Sequence, residues 1–422
     1  MPPAFPEMLP VRQTIAAPEL DDVAAAVQAE LAGLSLANHI QPGARIAVTA
    51  GSRGISGIDL ILKTVVAALR AAGADPFLVP AMGSHGGGTA EGQVAVLESL
   101  GITEARVGAP VRASMAVVEI GRSEFGFPVW VDRYAAEADG IFVVNRIKPH
   151  TDFTGPLESG LMKMLAIGLG KHKGCLDVHR QTVQHGYRRV IPAIGNLILA
   201  KLPVIGGLGI VENCFDRTAL VKAVAPAAFA AREAELLTEA KRLMGRLPFE
   251  RLDLLIVEEM GKNLSGTGMD TNVIGRVMFV GEPEPETPRI TRIVVLNLTP
   301  ASHGNAIGLG LADFTTRRTV EALDLAATRT NAVAAMTPEK GRIPIAMPTD
   351  REAVAAALTT IGAIDPVAAR VVHIRNTLEL GTLSISTALR EEAAAHPDLE
   401  ICGETAPMAF DEAGRLAPLS LD

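Results

Sequence analysis

"RIAVTAGSRGISGIDLILKTVVAALRAAGADPFLVPAMGSHGGGTAEG", residues 45–92, decides the fold class. Arg45 to Ala50 reads as a short buried strand that ends in a glycine-containing turn. From Ser56 onward apolar side chains recur every three to four positions, and the pattern stops at Gly73, as a helix does. A strand near Phe77 to Pro80, a glycine loop and a helix capped near Thr89 repeat the scheme. Further on, "GIFVVNRIKPHTDFTG" (140–155) supplies a strand from Ile141 to Asn145 that runs into a loop. Such alternation predicts an α/β protein with mainly parallel, helix-covered sheets. Ligands of open sheets of this kind sit at the carboxyl ends of the strands. Arg53, His85 and His150 each follow a strand at such an end.

The whole chain narrows the function classes. At 422 residues it exceeds the usual size of one core, so two α/β domains are expected. An alanine-rich helical stretch near Ala225 to Pro248 leads out of the first, giving domains over 1–248 and 249–422. The cleft between them is the expected active-site location. A net charge of −8 offers no basic surplus for phosphates, and only 4% aromatics leave little for base stacking, so no nucleic-acid partner is expected. Three scattered cysteines exclude a disulfide scaffold and suit a reducing, cytoplasmic setting. The N-terminal residues do not read as a secretory signal. No run of about 18 uncharged apolar residues is present, so no membrane span is expected. A small-molecule substrate fits this composition.

Several residues could carry chemistry. His85 lies in "GSHGGGT", where glycines allow close backbone approach to a ligand, although a plain flexible turn reads the same way. His150 follows Pro149 just beyond an apolar strand, and imidazole there suits general acid–base work near neutrality. Arg53 ends a strand among small residues and could grip a carboxylate, a phosphate or a helix terminus. Lys163, in "SGLMKMLAIGLGKHKG" (159–174), is either a snorkelling helix lysine or an amine with a depressed pKa and a chemical role. Neither glycine loop is a dinucleotide fingerprint, and no P-loop or HExxH motif occurs.

Taken in order, "TAGSRGI" (49–55), "AMGSHGGGTAEG" (81–92), "NRIKPHTDFTG" (145–155), "ESGLMKMLAIG" (158–168) and His179 resemble the nickel-dependent lactate racemase family. "EEMGKNLSGTGMDTNVIG" (258–275) and "SHGNAIGLGLADFTT" (302–316) extend the resemblance into the second half. It implies a racemase or epimerase of a 2-hydroxy acid, working by hydride transfer to and from a nickel-pincer nucleotide. Lys163 would anchor that cofactor, His179 would ligate the nickel and Ser52 would contact the cofactor. His85 and His150 would be the acid–base pair, and Arg53 would hold the substrate carboxylate, with Lys262 or Arg276 in the second domain. Lys171 and Lys173 would meet cofactor phosphate or solvent. A lyase or dehydratase acting on a hydroxy or sugar acid, or a non-catalytic cofactor- or phosphometabolite-binding protein, are the alternatives.

Three departures from the family pattern stand out. The family's substrate-contacting glutamine and lysine of the second domain have no clear equivalents here, so that Lys262 or Arg276 would stand in for them. Ala50 replaces an aspartate three residues before the arginine, and the run before Lys163 is lengthened to "PHTDFTGPLESGLMK" (149–163).

Overall fold

The computed structural model describes residues 4–52 and 54–420. Two compact units divide the chain, Ala17–Met244 and, from Gly245 onward, the remainder together with the N-terminal segment through Ala16. The opening strand, β1 (Glu7–Gln13), thus belongs to the second unit.

In the first unit, β2 (Arg45–Ala50) and β3 (Asp75–Pro80) match the expected strands, and every residue after the first of each is buried. A hairpin follows, β4 (Val117–Arg122) with β5 (Pro128–Asp132). Then come β6 (Gly140–Arg146), β7 (Val204–Glu212) and β8 (Thr218–Val224). The sheet order is β3-β2-β6-β7-β8, parallel throughout except for the β7–β8 pair. Near-continuous apolar strands are what a sheet covered on both faces requires.

The helix Ile58–Ala71 buries Ile58, Ile61, Leu62, Val65, Val66 and Leu69, one stripe at helical spacing. It packs in one core with Val48 and Phe142 of the sheet. Each such side chain contributes about 1.5–3 kcal/mol by leaving water. Gly73 closes the helix at φ +92°, a backbone region that costs glycine nothing, and its N–H donates to the carbonyl of Arg70.

The second unit carries β9 (Arg251–Val257), β10 (Arg289–Val295), β11 (Phe314–Thr316), β12 (Ile345–Met347) and β13 (Val371–Ile374). It continues with β14 (Thr382–Ser386), β15 (Leu399–Ile401) and β16 (Ala406–Pro407). The order is β12-β11-β10-β9-β13-β14-β1-β15, with β16 on β1. From β12 to β13 the pairs are parallel, and from β13 to β15 antiparallel. Residues 4–16 lie outside the expected division at 248 for a simple reason: β1 finds its hydrogen-bond partners about 370 to 390 residues later. Among the described residues, no helix is long and apolar enough to cross a membrane.

Candidate functional site

The carboxyl ends of β2, β3 and β6 in the first unit carry the loops singled out above. Ser52 follows β2, and its hydroxyl is hydrogen-bonded to Nδ1 of His85, in the loop after β3. Ser52, expected at the cofactor, is thus placed on an acid–base candidate. Arg53 lies outside the described residues.

The His85 loop owes its shape to glycine. Gly86 has φ +64°, and a Cβ there would lie 2.5 Å from the Gly92 carbonyl carbon, so no larger residue fits. Beneath the loop, buried Gln93 donates its amide nitrogen to the carbonyls of Gly83 (2.9 Å) and His85 (3.3 Å).

His150 stands beyond β6. Its main-chain N–H donates to Glu158 Oε2 at 2.7 Å, and its Nδ1 accepts from the Asp152 N–H at 3.0 Å. An acceptor at Nδ1 puts the proton of the neutral ring on Nε2. Glu158 is buried; it also accepts from the Gly155 N–H (2.9 Å) and from Lys241 Nζ (2.5 Å). The lengthened run before Lys163 therefore supplies the carboxylate that folds the His150 loop.

Lys163 is half-buried at the end of a helical turn, Leu161–Lys163, which continues as a π-turn over Met164–Gly168. Single π-turns of this kind recur at functional sites. Glu233, from the helix Phe229–Leu243, meets the start of that turn and accepts from the Met162 N–H at 2.8 Å. Burial pushes its carboxyl up to about 7, against the pull of backbone N–H groups at Met162 and Leu161. Asn145 holds the same turn from the sheet, donating to the Gly160 carbonyl at 2.8 Å.

His179 lies on the helix Lys171–His185, one turn after Cys175. Its Nε2 is 3.7 Å from Cys175 Sγ, which is 3.8 Å from Ser84 Oγ, the neighbour of His85. Burial opposes charging of either group, but their contact outweighs it, lowering the Cys175 pKa and raising that of His179. The Lys163 ammonium and the Asp152 carboxylate are also within electrostatic reach of His179, with opposite effects. Tyr187 completes the group, with its ring 6.2 Å from that of His179 and 5.6 Å from that of His150. One continuous set of contacts thus links Ser52, His85, Ser84, Cys175, His179, Tyr187 and His150.

One expectation fails here. Lys171 meets neither phosphate nor solvent: it is fully buried and ion-paired with Asp132 at 3.1 Å, because its backbone turns the side chain inward under β3. Lys173 is exposed, as expected, with its ammonium 3.3 Å from the ring centre of Trp130.

In the second unit, Arg276 donates to the carbonyls of Leu311 (2.7 Å) and Ile290 (3.2 Å) and pairs with Asp313 (3.0 Å). Its guanidinium is bound to the amino-terminal side of β10 and β11. Lys262 lies in the loop after β9, with its ammonium on the Gly266 carbonyl at 2.9 Å.

Sequence reasoning missed Gln93, Glu158, Cys175 and Glu233. A signal existed for Glu233, which falls on the apolar stripe of its helix with Phe229, Leu236, Leu237, Ala240 and Leu243.

Could these residues take a metal-bearing cofactor? Nδ1 of His179 is buried without a hydrogen-bond partner, a donor atom held ready. Among the described residues no group of three or more His, Cys, Asp or Glu could hold a metal ion, so a metal here would need further donors from an organic ligand. A half-buried amine stands within electrostatic reach. The residues fit such a group.

Comparison with known proteins agrees with this architecture. Residues 8–190 match the family described as the lactate racemase N-terminal domain. The matched stretch lies in the first half of the chain and is similar to that domain. Among solved structures it is similar to the lactate racemase apoprotein from Thermoanaerobacterium thermosaccharolyticum, at 12% identity and a TM-score of 0.54. That match covers 87% of this chain and 94% of the other and shows a shared fold. No curated protein matches the sequence.

Proposed function

We propose that this protein is a racemase or epimerase of a 2-hydroxy acid that uses a nickel-pincer nucleotide. The observation that carries the reading is the continuous contact set joining two strand-end histidines, His85 and His150, through the His179 helix. The similarity of residues 8–190 to the lactate racemase N-terminal domain supports racemase chemistry in general terms.

In this reading Lys163 and His179 hold the cofactor. When bound, that group would accept hydride from the substrate Cα and return it. The Cα proton of a 2-hydroxy carboxylate is too weakly acidic for two histidines alone, so the protein's task is to move the hydroxyl proton. Ser52 fixes His85 through Nδ1, and Nε2 would exchange a proton with the hydroxyl oxygen. On the other loop, the Asp152 N–H holds His150 so that Nε2 carries the proton. One neutral histidine would take the hydroxyl proton and become imidazolium. The other, as imidazolium, would return a proton to the hydroxyl oxygen on the opposite side, and reversal would exchange their roles. Arg53 is the cation assigned to the substrate carboxylate. Phe153 and Tyr187 stack at 4.5 Å beside His150 and exclude water from it.

The test is a stereoinversion screen of 2-hydroxy and aldonic acids on protein produced with the cofactor's biosynthetic enzymes. Inversion of one acid is expected. A dehydrated product, or tight binding without Cα–H exchange, would replace the reading. Intact mass on the same sample reports a bond at Lys163, and His179→Ala should lose the nickel.

A further inference from the structure

The His85 loop has little packing of its own. Gly83, Gly86, Gly87 and Gly88 all have positive φ, and His85 is exposed. Four elements nonetheless meet beneath it. Lys171, the first residue of the His179 helix, donates Nζ to the Pro80 carbonyl at the end of β3 (2.6 Å) and to Gln93 Oε1 (3.1 Å). The same ammonium lies 3.1 Å from Asp132 Oδ2, at the end of β5. Asp132 in turn caps the turn that follows, through Ala135 N–H (3.0 Å), and donates its own N–H to Leu169 (2.7 Å).

Two features of Lys171 exceed what packing requires. Its backbone stands at φ +53°, a left-handed conformation that is unfavourable for a lysine and persists only when its surroundings over-determine it. Taking an ammonium fully out of water also costs several kcal/mol, which a packed apolar side chain would avoid. What the ammonium does supply is orientation. It must face Gln93 Oε1, so the amide nitrogen of Gln93 can only point at the Gly83 and His85 carbonyls.

We propose that Lys171 and Gln93 form a positioning strut that holds the His85 loop in register with the helix bearing His179. Neither residue touches the reacting atoms. Lys171 joins the His179 helix to β3 and Gln93, and Gln93 passes that position to the two loop carbonyls. The catalytic consequence rests on the function proposed above; the mechanical one does not.

Gln93→Glu separates the strut from simple packing. It keeps an acceptor for Lys171 but sets oxygen against the Gly83 and His85 carbonyls. Hydrogen exchange over 81–88 should quicken about ten-fold, as expected when a local clamp opens. Diethylpyrocarbonate should modify His85 several-fold faster, with exposed His39 as the internal reference. On cofactor-loaded protein kcat should fall roughly 10- to 100-fold with KM changed less than about three-fold, the mark of a misplaced group. Should Gln93→Glu not fold, Gln93→Asn, one methylene too short to span lysine and loop, is read in the same way. Wild-type loop exchange and His85 reactivity in the folded variant would overturn the strut. A wild-type protein that inverts no substrate would instead overturn the proposed function, and the exchange and labelling results would still decide the strut.

Discussion

The two units place glycine-rich loops at the carboxyl ends of parallel strands, yet they furnish those loops differently. In the unit Ala17–Met244 the loops bear His85, His150 and Lys163, and buried charges lie directly beneath them: Glu158, Lys171 and Glu233. The loop after β9 is held by neutral groups. Thr299 Oγ1 donates to Asn263 Oδ1 (2.6 Å) and shares a bond with Ser302 Oγ (2.8 Å), while Ser302 Oγ accepts from the Lys262 N–H (2.9 Å). A neutral network holds a loop at little desolvation cost, whereas a buried charge fixes a nearby titratable group at the expense of stability. The difference teaches that buried charge lies beneath the loops where the chemistry is proposed, whereas the loop after β9 rests on neutral groups.

The sharpest break of that contrast is functional. His85→Asn and His150→Asn should each lower the turnover of loaded protein by about 10²- to 10⁴-fold, measured as initial rates. His373, a buried histidine of the second unit paired with Glu258 at 3.0 Å, should behave in the opposite way. His373→Asn should lower the melting temperature and leave turnover alone.

Glu233 gives the next effect. Its folded pKa, about 7, lies above the ordinary carboxyl value of 4.5. The folded state therefore binds more protons between those values, and its stability is full below pH 4.5 and falls as pH rises towards 7. The loss is on the order of 3 kcal/mol. Glu233→Gln should flatten that part of a melting-temperature profile, and an unchanged slope would remove Glu233 as its source.

Gly160→Ala gives the smallest effect. A Cβ there would lie 2.4 Å from the Glu233 carboxyl carbon, so the Lys163 turn must shift. The expected destabilisation is about 1–3 kcal/mol, read from a denaturant midpoint.

Much of the first unit was legible because its signals are local. β2, β3 and β6 are apolar runs closed by glycine or a loop, and the helix Ile58–Ala71 shows its buried stripe in its spacing. His85, His150 and Lys163 stand out in the sequence because each lies in a short motif. Lys171 was misread because "KHKG" looks like a solvated cluster, and nothing local discloses the Asp132 and Gln93 that bury it. Nothing local marks Glu158, in the lengthened run, as the acceptor of three hydrogen bonds.

By itself, then, the sequence determined the α/β class, the strand-end loops and the residue types placed on them, because periodicity and glycine act within a few residues. Only the tertiary structure decided that β1 pairs with β14 and β15, that Ser52 meets His85, and that Lys171 is buried. Each of those outcomes depends on partners tens to hundreds of residues away, brought together by packing of the core and not by any local preference.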